Sequence, residues 1–275
     1  MKMKKKSPWL IVFFSVWVLL AVLFAFLDLG ISQKLYRPES NWVIFLENYG
    51  QVPGVLVGLL GMNVLLRLQK GKSWKNILAI TGLVIFILLS GFMVGGELQG
   101  QQSGQEASPV LSAIIGLALA AGMQVWFRLT PESKMQKYKT PALVVVFLIL
   151  LSGFVTTWAL KFLWGRWTYR DILEAGNLAL FTPWYLPQGP NGHNSFPSGH
   201  TNFALTVLPL LLLIPQKSKW IYPAWILVLV WGAVNALSRI VVGAHFSSDV
   251  LFGAGQTILW FWLLSKRFVG KEKPA

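Results

Sequence analysis

The chain has 275 residues, of which 55% are hydrophobic and only 12% charged, and its mean hydropathy is +0.57. Soluble domains carry roughly 25% charged residues, so this composition excludes an ordinary soluble protein and indicates an integral membrane protein. Because the chain contains no cysteine, disulfides and thiolate metal sites are excluded. No cofactor is predicted. The net charge of +14 could indicate nucleic-acid binding. That interpretation depends on where the basic residues lie relative to the membrane.

Eight apolar segments approach or exceed the roughly 20 residues that span a hydrocarbon core, although two of them are short. The first follows a lysine-rich start and lacks a small-residue cleavage site, so we expect a retained anchor and not a signal peptide. The chain is therefore predicted to be an all-α, polytopic membrane bundle of about eight transmembrane helices. The predicted helices lie near 9–28, 52–67, 75–96, 109–128, 141–163, 199–215, 220–237 and 248–266.

The basic residues sort by side when these helices are threaded with the N-terminus in the cytoplasm. Most of the 24 Lys and Arg residues then fall in cytoplasmic loops and tails, as the positive-inside rule demands. The basic excess therefore indicates topology and not nucleic-acid binding. We predict a plasma-membrane protein with both termini cytoplasmic. The basic residues left on the outer side are Lys34, Arg37, Lys161, Arg166, Arg170 and Arg239.

Two outer loops stand out. Residues 30–51 contain interfacial aromatic residues, and residues 43–46 are expected to form a short helix at the membrane surface. Residues 164–198 form the longest predicted outer loop, rich in Gly, Pro and Asn. A long loop in a compact domain is often functional, and this one joins two candidate motifs.

The first candidate motif is Pro197-Ser198-Gly199-His200, which directly precedes an apolar run. Proline is tolerated at a helix start, and the free N–H groups of a first helical turn bind anions. Gly199 lets the backbone approach a phosphate closely, and His200 would then lie over the bound anion. For this motif alone, a simple helix cap made by Ser198 is the alternative interpretation.

A second motif contains Arg239, His245 and Asp249. His245 and Asp249 are four residues apart, so on a helix they would share one face. An aspartate that accepts the Nδ1 proton of a histidine leaves Nε2 as a nucleophile or base. The offset from Arg239 to His245 predicts a bend between two helices, and a guanidinium group suits phosphate oxygens. The alternative is an interfacial histidine beside a snorkelling arginine.

The third candidate cluster consists of Lys161, Arg166 and Arg170, which follow the apolar run 141–160. Interfacial anchoring is the alternative interpretation, although Lys and Arg normally crowd the cytoplasmic side. All three stretches are predicted to lie on the outer side of the membrane. We therefore expect three loops to converge on one basic, histidine-bearing site.

Together these stretches resemble the type 2 phosphatidic acid phosphatase family, whose fold is shared with vanadium haloperoxidases. The family pattern is Lys-x6-Arg-Pro, then Pro-Ser-Gly-His, then Ser-Arg-x5-His-x3-Asp, and the last two stand intact at 197–200 and 238–249. In the first, Thr168 and Tyr169 occupy the positions of Arg-Pro. Arg166 and Arg170 flank Thr168, and either is a candidate for the missing guanidinium; weaker phosphate binding is the remaining alternative.

The resemblance covers about residues 109–266. It predicts an N-terminal part of transmembrane helices and outer loops, 1–108, and a phosphatase-like core, 109–275, that carries all three motifs. It implies a metal-independent lipid phosphatase that acts in the bilayer on a phosphate monoester or diphosphate. Polyprenyl diphosphate, phosphatidylglycerol phosphate and phosphatidic acid are the implied substrates.

The resemblance also implies a mechanism in two steps. His245, oriented by Asp249, attacks phosphorus to give a phosphohistidine. His200 protonates the leaving group and then activates water. The groups implied to neutralise the phosphate oxygens are Lys161, Arg166 or Arg170, Ser198, Gly199 and Arg239.

Two further functions stay open on the sequence. A phosphotransferase would pass the phosphoryl group from the same histidines to an acceptor other than water. A lipid-binding or transport protein without turnover is suggested by Thr168. The remaining histidine, His193, is expected to be a solvent-exposed loop residue.

Overall fold

The computed structural model describes residues 8–70, 73–99 and 108–269, and all regular structure in these ranges is helical. The lysines predicted in the cytoplasmic tails, at residues 2–6, 271 and 273, lie outside the described residues. The α-helices are α1 (Pro8–Leu35), α2 (Asn41–Tyr49), α3 (Val52–Leu68), α4 (Trp74–Gln99), α5 (Pro109–Leu129), α6 (Glu132–Gln136), α7 (Lys139–Leu148), α8 (Thr157–Trp164), α9 (Tyr169–Glu174), α10 (Gly199–Ala204), α11 (Ile221–Val241) and α12 (Ser247–Val269).

Six helical stretches of the described residues are long and apolar enough to cross a membrane. A shorter apolar helix spans Gly199–Leu213. The prediction of an all-α membrane protein with several spans is therefore confirmed, whereas the number of eight spans stays a prediction. The six stretches are Val12–Leu35, Asn41–Leu68, Asn76–Gly96, Pro109–Leu129, Lys139–Glu174 and Ile221–Val241.

Each of the eight predicted segments is helical in the structure, with one boundary clearly wrong. Helix α1 continues to Leu35, well past the predicted end at residue 28 and into the predicted outer loop. The reason is that Asp28 and Ser32 are both fully buried, and Asp28 contacts Arg166 and Ser248. Within the same loop, the helix expected at residues 43–46 is present as the longer α2.

Two segments depart from α-helical geometry. Residues Ile149–Thr156 form a π-helix between α7 and α8, where Thr157 Oγ1 donates to the carbonyl of Ser152 at 2.8 Å. Residues Leu205–Leu213 continue α10 as a 3₁₀ helix that contains Pro209, which has no N–H to donate. The π-helix is joined to α10, just before the 3₁₀ segment, where Asn202 Nδ2 donates to Ser152 Oγ at 2.6 Å.

The core forms where α3, α7 and the 3₁₀ segment pack together. Leu59, Met62, Val144, Leu148 and Leu208 are fully buried there. Since lipid is as apolar as these side chains, such packing stabilises the bundle mainly through close contact. Helices α4 and α5 cross at glycines, for example where Gly91 meets Gly116 so closely that no Cβ would fit.

The ends of five helices meet at one end of the bundle. There α1, α8 and α11 end while α10 and α12 begin. Helix α1 is fixed against α12, since Trp17 Nε1 donates to the carbonyl of Leu251 at 3.2 Å. The loops that carry the three candidate motifs therefore gather at this end of the bundle, and the candidate site lies among them.

Candidate active site

Two histidines from distant parts of the sequence face each other at this end. His200 is the second residue of α10, and His245 lies in the loop between α11 and α12. Their ring centroids are 6.4 Å apart. His245 is buried, whereas His200 is half-buried. The structure thus brings together the two predicted imidazoles, with a separation that leaves room for an anion between them.

The predicted shared helical face of His245 and Asp249 is wrong. Asp249 lies in the first turn of α12, whereas His245 precedes that helix by two residues. The reason is that Asp249 Oδ2 accepts the N–H of Phe246 at 2.7 Å, which caps α12 and fixes its start at Ser247. The loop nevertheless folds back, so that His245 Nδ1 lies 3.8 Å from Asp249 Oδ2.

The hydrogen bond that orients His245 comes from a residue that the sequence did not single out. Nδ1 lies 2.7 Å from the carbonyl oxygen of Ser195. A carbonyl only accepts, so Nδ1 carries the proton of the neutral ring and Nε2 keeps its lone pair. Asp249 acts through Ser195, whose hydroxyl donates to Asp249 Oδ2 at 2.6 Å. The expected tautomer, with the proton on Nδ1, is therefore set by the Ser195 carbonyl and not by a direct bond to Asp249.

The surroundings of His245 favour its neutral form. Burial, together with the positive charges of Lys161 and Arg239, lowers the pKa of His245 to about 4, although Asp249 opposes this shift. The ring is therefore unprotonated at neutral pH. A neutral imidazole with a free Nε2 lone pair is the form that acts as a nucleophile.

Arg166 is buried in an ion cluster below the histidines. Its Nη1 donates to Asp249 Oδ1 at 2.5 Å and its Nη2 to Asp28 Oδ2 at 3.0 Å. Nη1 also donates to Ser248 Oγ at 2.8 Å, and Nε donates to the carbonyl of Thr182 at 2.8 Å. The side chain is 1% exposed. Each guanidinium nitrogen is therefore engaged by protein oxygens, and this arginine does not face the histidine pair as an open cation.

Asp28 was missed by the sequence reasoning. Besides Arg166, its carboxylate accepts the N–H of Ser248 at 2.9 Å and a hydrogen bond from the Ser248 hydroxyl. A lone carboxylate inside an otherwise apolar span is costly and usually has a specific partner, and this signal points to Asp28. Through Asp28, α1 is part of the support of the site.

Arg170 and Arg239 form a second cluster, on the rim of the site. Both guanidinium groups approach the same oxygen of Glu47, with Arg170 Nη1 at 3.4 Å and Arg239 Nη1 at 3.7 Å. The main-chain N–H of Arg170 donates to the carbonyl of Gly243 at 3.0 Å, which ties Arg170 to the loop of His245. Gly243 has a φ of 75° and packs against the Tyr36 ring, so a side chain would not fit there.

Lys161 completes the basic rim. Lys161 lies beside the start of α10. Its Cε would be 3.9 Å from a Cβ atom built on Gly199. Its ammonium group donates to the carbonyl of Asn194. Helix α8 ends at Trp164, three residues after Lys161, and Gly165 follows with a φ of 51° and donates its N–H to the carbonyl of Lys161. Lys161, Arg170 and Arg239 all act electrostatically on His200.

Two predicted motif positions cap helices. Ser198 Oγ accepts the N–H of Thr201 at 3.3 Å, which is the cap that the sequence offered as the alternative for this residue. The Ser198 N–H donates to the carbonyl of Asp249 at 2.9 Å and joins the two motifs. Thr168 Oγ1 accepts the N–H of Asp171 at 3.1 Å and caps α9. The position of the family arginine thus starts the helix that carries Arg170.

The long loop before α10 is folded back onto the helices. Trp184 Nε1 donates to the carbonyl of Ala21 in α1 at 2.8 Å. His193 lies in this loop, as expected, but it stacks on Trp167 with 3.4 Å between ring centroids and is only partly exposed. The stacking partner Trp167 lies 26 residues before His193, so the residues around His193 did not indicate this contact.

Comparison with known proteins agrees with the motifs. Residues 141–273, which contain all three motifs, match the sequence model of the PAP2 superfamily. Comparison with curated proteins and with solved structures gave no match. Members of the superfamily are generally phosphatases, and membership indicates phosphatase or phosphotransferase activity on lipid phosphates at a membrane. With the motif residues gathered at one end of a helical membrane bundle, residues 141–273 of this chain belong to the PAP2 superfamily, and this match supports a member of the type 2 phosphatidic acid phosphatase family.

Proposed function

We propose that this protein is a metal-independent lipid phosphatase that hydrolyses a lipid phosphate ester through a phosphohistidine on His245. The observation that carries the proposal is the facing pair of His200 and His245, 6.4 Å between ring centroids, inside a rim of three cations. Phosphoryl transfer requires mainly an aligned nucleophile, a proton donor and positive charge around the phosphate oxygens. The site holds side chains for each of these tasks.

In the first step, Nε2 of neutral His245 attacks phosphorus and the bond from phosphorus to the ester oxygen breaks. The leaving oxygen takes a proton from His200, so the lipid departs as an alcohol. The Nδ1–H of His245 donates to the Ser195 carbonyl throughout, so the positive charge that develops on the ring is stabilised. The negative charge of the bound phosphate favours a protonated His200 before this step.

In the second step, His200 accepts a proton from water, and the resulting hydroxide attacks phosphorus. The phosphorus–nitrogen bond breaks, inorganic phosphate leaves and His245 regains its neutral form. Covalent catalysis of this kind replaces one difficult displacement by two easier ones. Apart from the attacking water, the groups that take part in both steps are side chains and main-chain groups of this chain.

For the missing arginine of the first motif, we propose Arg170 and not Arg166. Arg166 is committed to Asp28 and Asp249 at 3.0 and 2.5 Å, whereas Arg170 is partly exposed on the rim and acts on His200. Lys161, Arg170 and Arg239 would then neutralise the phosphate oxygens. The main-chain N–H of Gly199 adds a donor at the start of α10.

We further propose that the site faces the outside of the plasma membrane. The positive-inside rule supports this orientation, because the loops and tails that the sequence assigns to the opposite side carry most of the basic residues. The chain has no cysteine, so Glu39→Cys introduces a single label on the exposed segment between α1 and α2. A membrane-impermeant maleimide should modify it in intact cells; protection until the cells are lysed would contradict the outer location.

The direct test is release of inorganic phosphate by the purified protein in detergent with EDTA present. The panel is polyprenyl diphosphate, phosphatidylglycerol phosphate and phosphatidic acid. We expect release from at least one lipid, and a loss of about 10³-fold or more in His245→Ala. His193→Ala is the matched control, since this third histidine lies outside the facing pair, and it should keep wild-type activity.

Three outcomes separate the alternatives. Activity that depends on an added alcohol acceptor instead of water would identify a phosphotransferase. No release from any lipid by folded protein would contradict the phosphatase proposal. Label from a phosphate-labelled substrate should also remain on the protein after an alkaline quench, in which phosphohistidine survives; its absence in active protein would contradict the covalent step.

A further inference from the structure

We infer that Glu47 makes this site selective for lipid phosphate monoesters over lipid diphosphates. This inference rests on the proposed phosphatase function and narrows its substrate class. Glu47 belongs to α2, which lies outside the residues that match the PAP2 superfamily. Its carboxylate is the negative group that contacts the basic rim from this N-terminal segment.

The position of the carboxylate is the first observation. A single oxygen of Glu47 lies 3.4 Å from Arg170 Nη1 and 3.7 Å from Arg239 Nη1. Two guanidinium groups that converge on one oxygen form the arrangement that also suits a phosphate oxygen. Both distances exceed those of a charge-assisted hydrogen bond, so the contact is loose. A phosphate oxygen can approach both arginines while the carboxylate moves aside only slightly.

The second observation is that Glu47 is held on a fixed element. Val43, one turn earlier in α2, is fully buried against Val241, Val242 and Ala244 in the segment that leads to His245. The end of α2 also presses on α11, since a Cβ at Gly50 would overlap the Asn235 side chain. The carboxylate therefore remains at the rim when substrate binds, as a permanent part of the local charge.

The balance of charge then favours one class of substrate. Lys161, Arg170 and Arg239 contribute three positive charges around His200, and Glu47 contributes one negative charge. On the rim alone this leaves two positive charges, against a charge of about −2 on a phosphate monoester at neutral pH. A lipid diphosphate brings a second phosphoryl group and additional negative charge to the same rim. That charge meets the Glu47 carboxylate at short range, and like charges this close disfavour binding.

The test compares two substrates with the same lipid chain, farnesyl phosphate and farnesyl diphosphate, in initial rates of phosphate release. Wild-type protein should prefer the monophosphate in kcat/KM. Glu47→Gln keeps the shape of the side chain and removes its charge, so it should raise the diphosphate-to-monophosphate ratio of kcat/KM about tenfold. Glu47→Asp keeps the charge and should keep the wild-type preference.

The control variant is Glu39→Gln, which removes an exposed carboxylate from the same segment and should leave the ratio unchanged. A second measurement needs no lipid: inorganic pyrophosphate should inhibit Glu47→Gln more strongly, relative to inorganic phosphate, than it inhibits wild type.

The possible failures are distinguishable. If wild type releases phosphate from neither farnesyl ester nor from any lipid of the panel, the proposed function itself fails. If wild type is active but Glu47→Gln leaves both ratios at their wild-type values, the phosphatase stands and the role of Glu47 is refuted. A wild-type preference for the diphosphate would also overturn the inference.

Discussion

Two arginine–carboxylate clusters flank the histidine pair, and they differ in burial and in distance. In the lower one, Arg166 contacts Asp28 and Asp249 at 3.0 and 2.5 Å, and all three side chains are at most 1% exposed. In the rim cluster, Glu47 lies 3.4 and 3.7 Å from Arg170 and Arg239, and its side chain is 27% exposed. Both clusters pair arginines with carboxylates, but in the rim cluster water reaches Glu47 and Arg170, whereas Arg239 is buried.

The difference shows how one set of charges can both hold a site together and bind a ligand. In the buried cluster, removal of one partner leaves a charge that no water can solvate, so the cluster is fixed. Exposed ion pairs are worth roughly 0–1 kcal/mol, so the rim contact can be exchanged for a phosphate at low cost. Charge alone in the sequence did not distinguish the two roles.

Arg166→Ala is expected to have the largest effect on stability, and it tests the role of the buried cluster. The variant leaves Asp28 and Asp249 buried without their shared cation, and the free energy of unfolding should fall by about 3–5 kcal/mol. Thermal unfolding of the purified protein in detergent measures this loss. Arg166→Lys should recover only part of it, because one ammonium group does not reproduce the fork that bridges two carboxylates.

Arg170→Ala is the matched change in the rim cluster and should give the opposite pattern. The midpoint of unfolding should stay near that of wild type, since the Arg170 contact is exposed and loose. If instead Arg170→Ala unfolds as readily as Arg166→Ala, the two clusters do not differ in the way that their burial indicates.

The activity of Arg170→Ala sharpens the same contrast. Loss of one donor aimed at the developing phosphate charge should lower kcat/KM about 10²–10³-fold in the phosphate-release assay. Arg170→Lys should retain part of the activity, because it keeps the charge and loses the fork. Arg37→Ala, which removes an exposed arginine at the same end of the bundle, serves as the control. Full activity in Arg170→Ala would mean that another group supplies the missing guanidinium.

The helices were well predicted because hydropathy reports directly on what a membrane segment must satisfy. The predicted segment 52–67 became α3 and 109–128 became α5, each within a residue of the observed bounds. The prediction failed at the end of α1, where polarity did not mean exposure. Asp28 and Ser32 are polar but buried by other helices, and contacts of that kind are not written in local composition.

The candidate site was predictable where a motif is local and not where it depends on distant partners. The pairing of His200 with His245 followed from the motifs. The choice between Arg166 and Arg170 did not, because it is decided by Asp28, 138 residues before Arg166 in the chain. Ser195 and Glu47 were missed for the same reason: each acts through a neighbour in another segment. The division into 1–108 and 109–275 stays a prediction, although Asp28 and Glu47 of the first part contact residues of the second.

The smallest expected effect concerns Thr168, where the family has arginine. Thr168 caps α9, so Thr168→Ala should lower the free energy of unfolding by about 1 kcal/mol, and Thr168→Ser should preserve it. A loss of this size lowers the unfolding midpoint by roughly 2–4 °C, which a thermal scan resolves. Activity should change little, because the Arg170 main chain stays bonded to Gly243.

Thr168→Arg tests whether Arg170 supplies the guanidinium group of the first motif. If Arg170 already supplies the guanidinium, a second arginine at residue 168 loses the cap and adds no useful donor, so kcat/KM should not rise. A clear gain in Thr168→Arg, with the cap lost, would show that the cation is absent from the wild-type site. Arg170 would then be an exposed surface charge without a role in phosphate binding. Its contact with Glu47 would then say nothing about substrate binding.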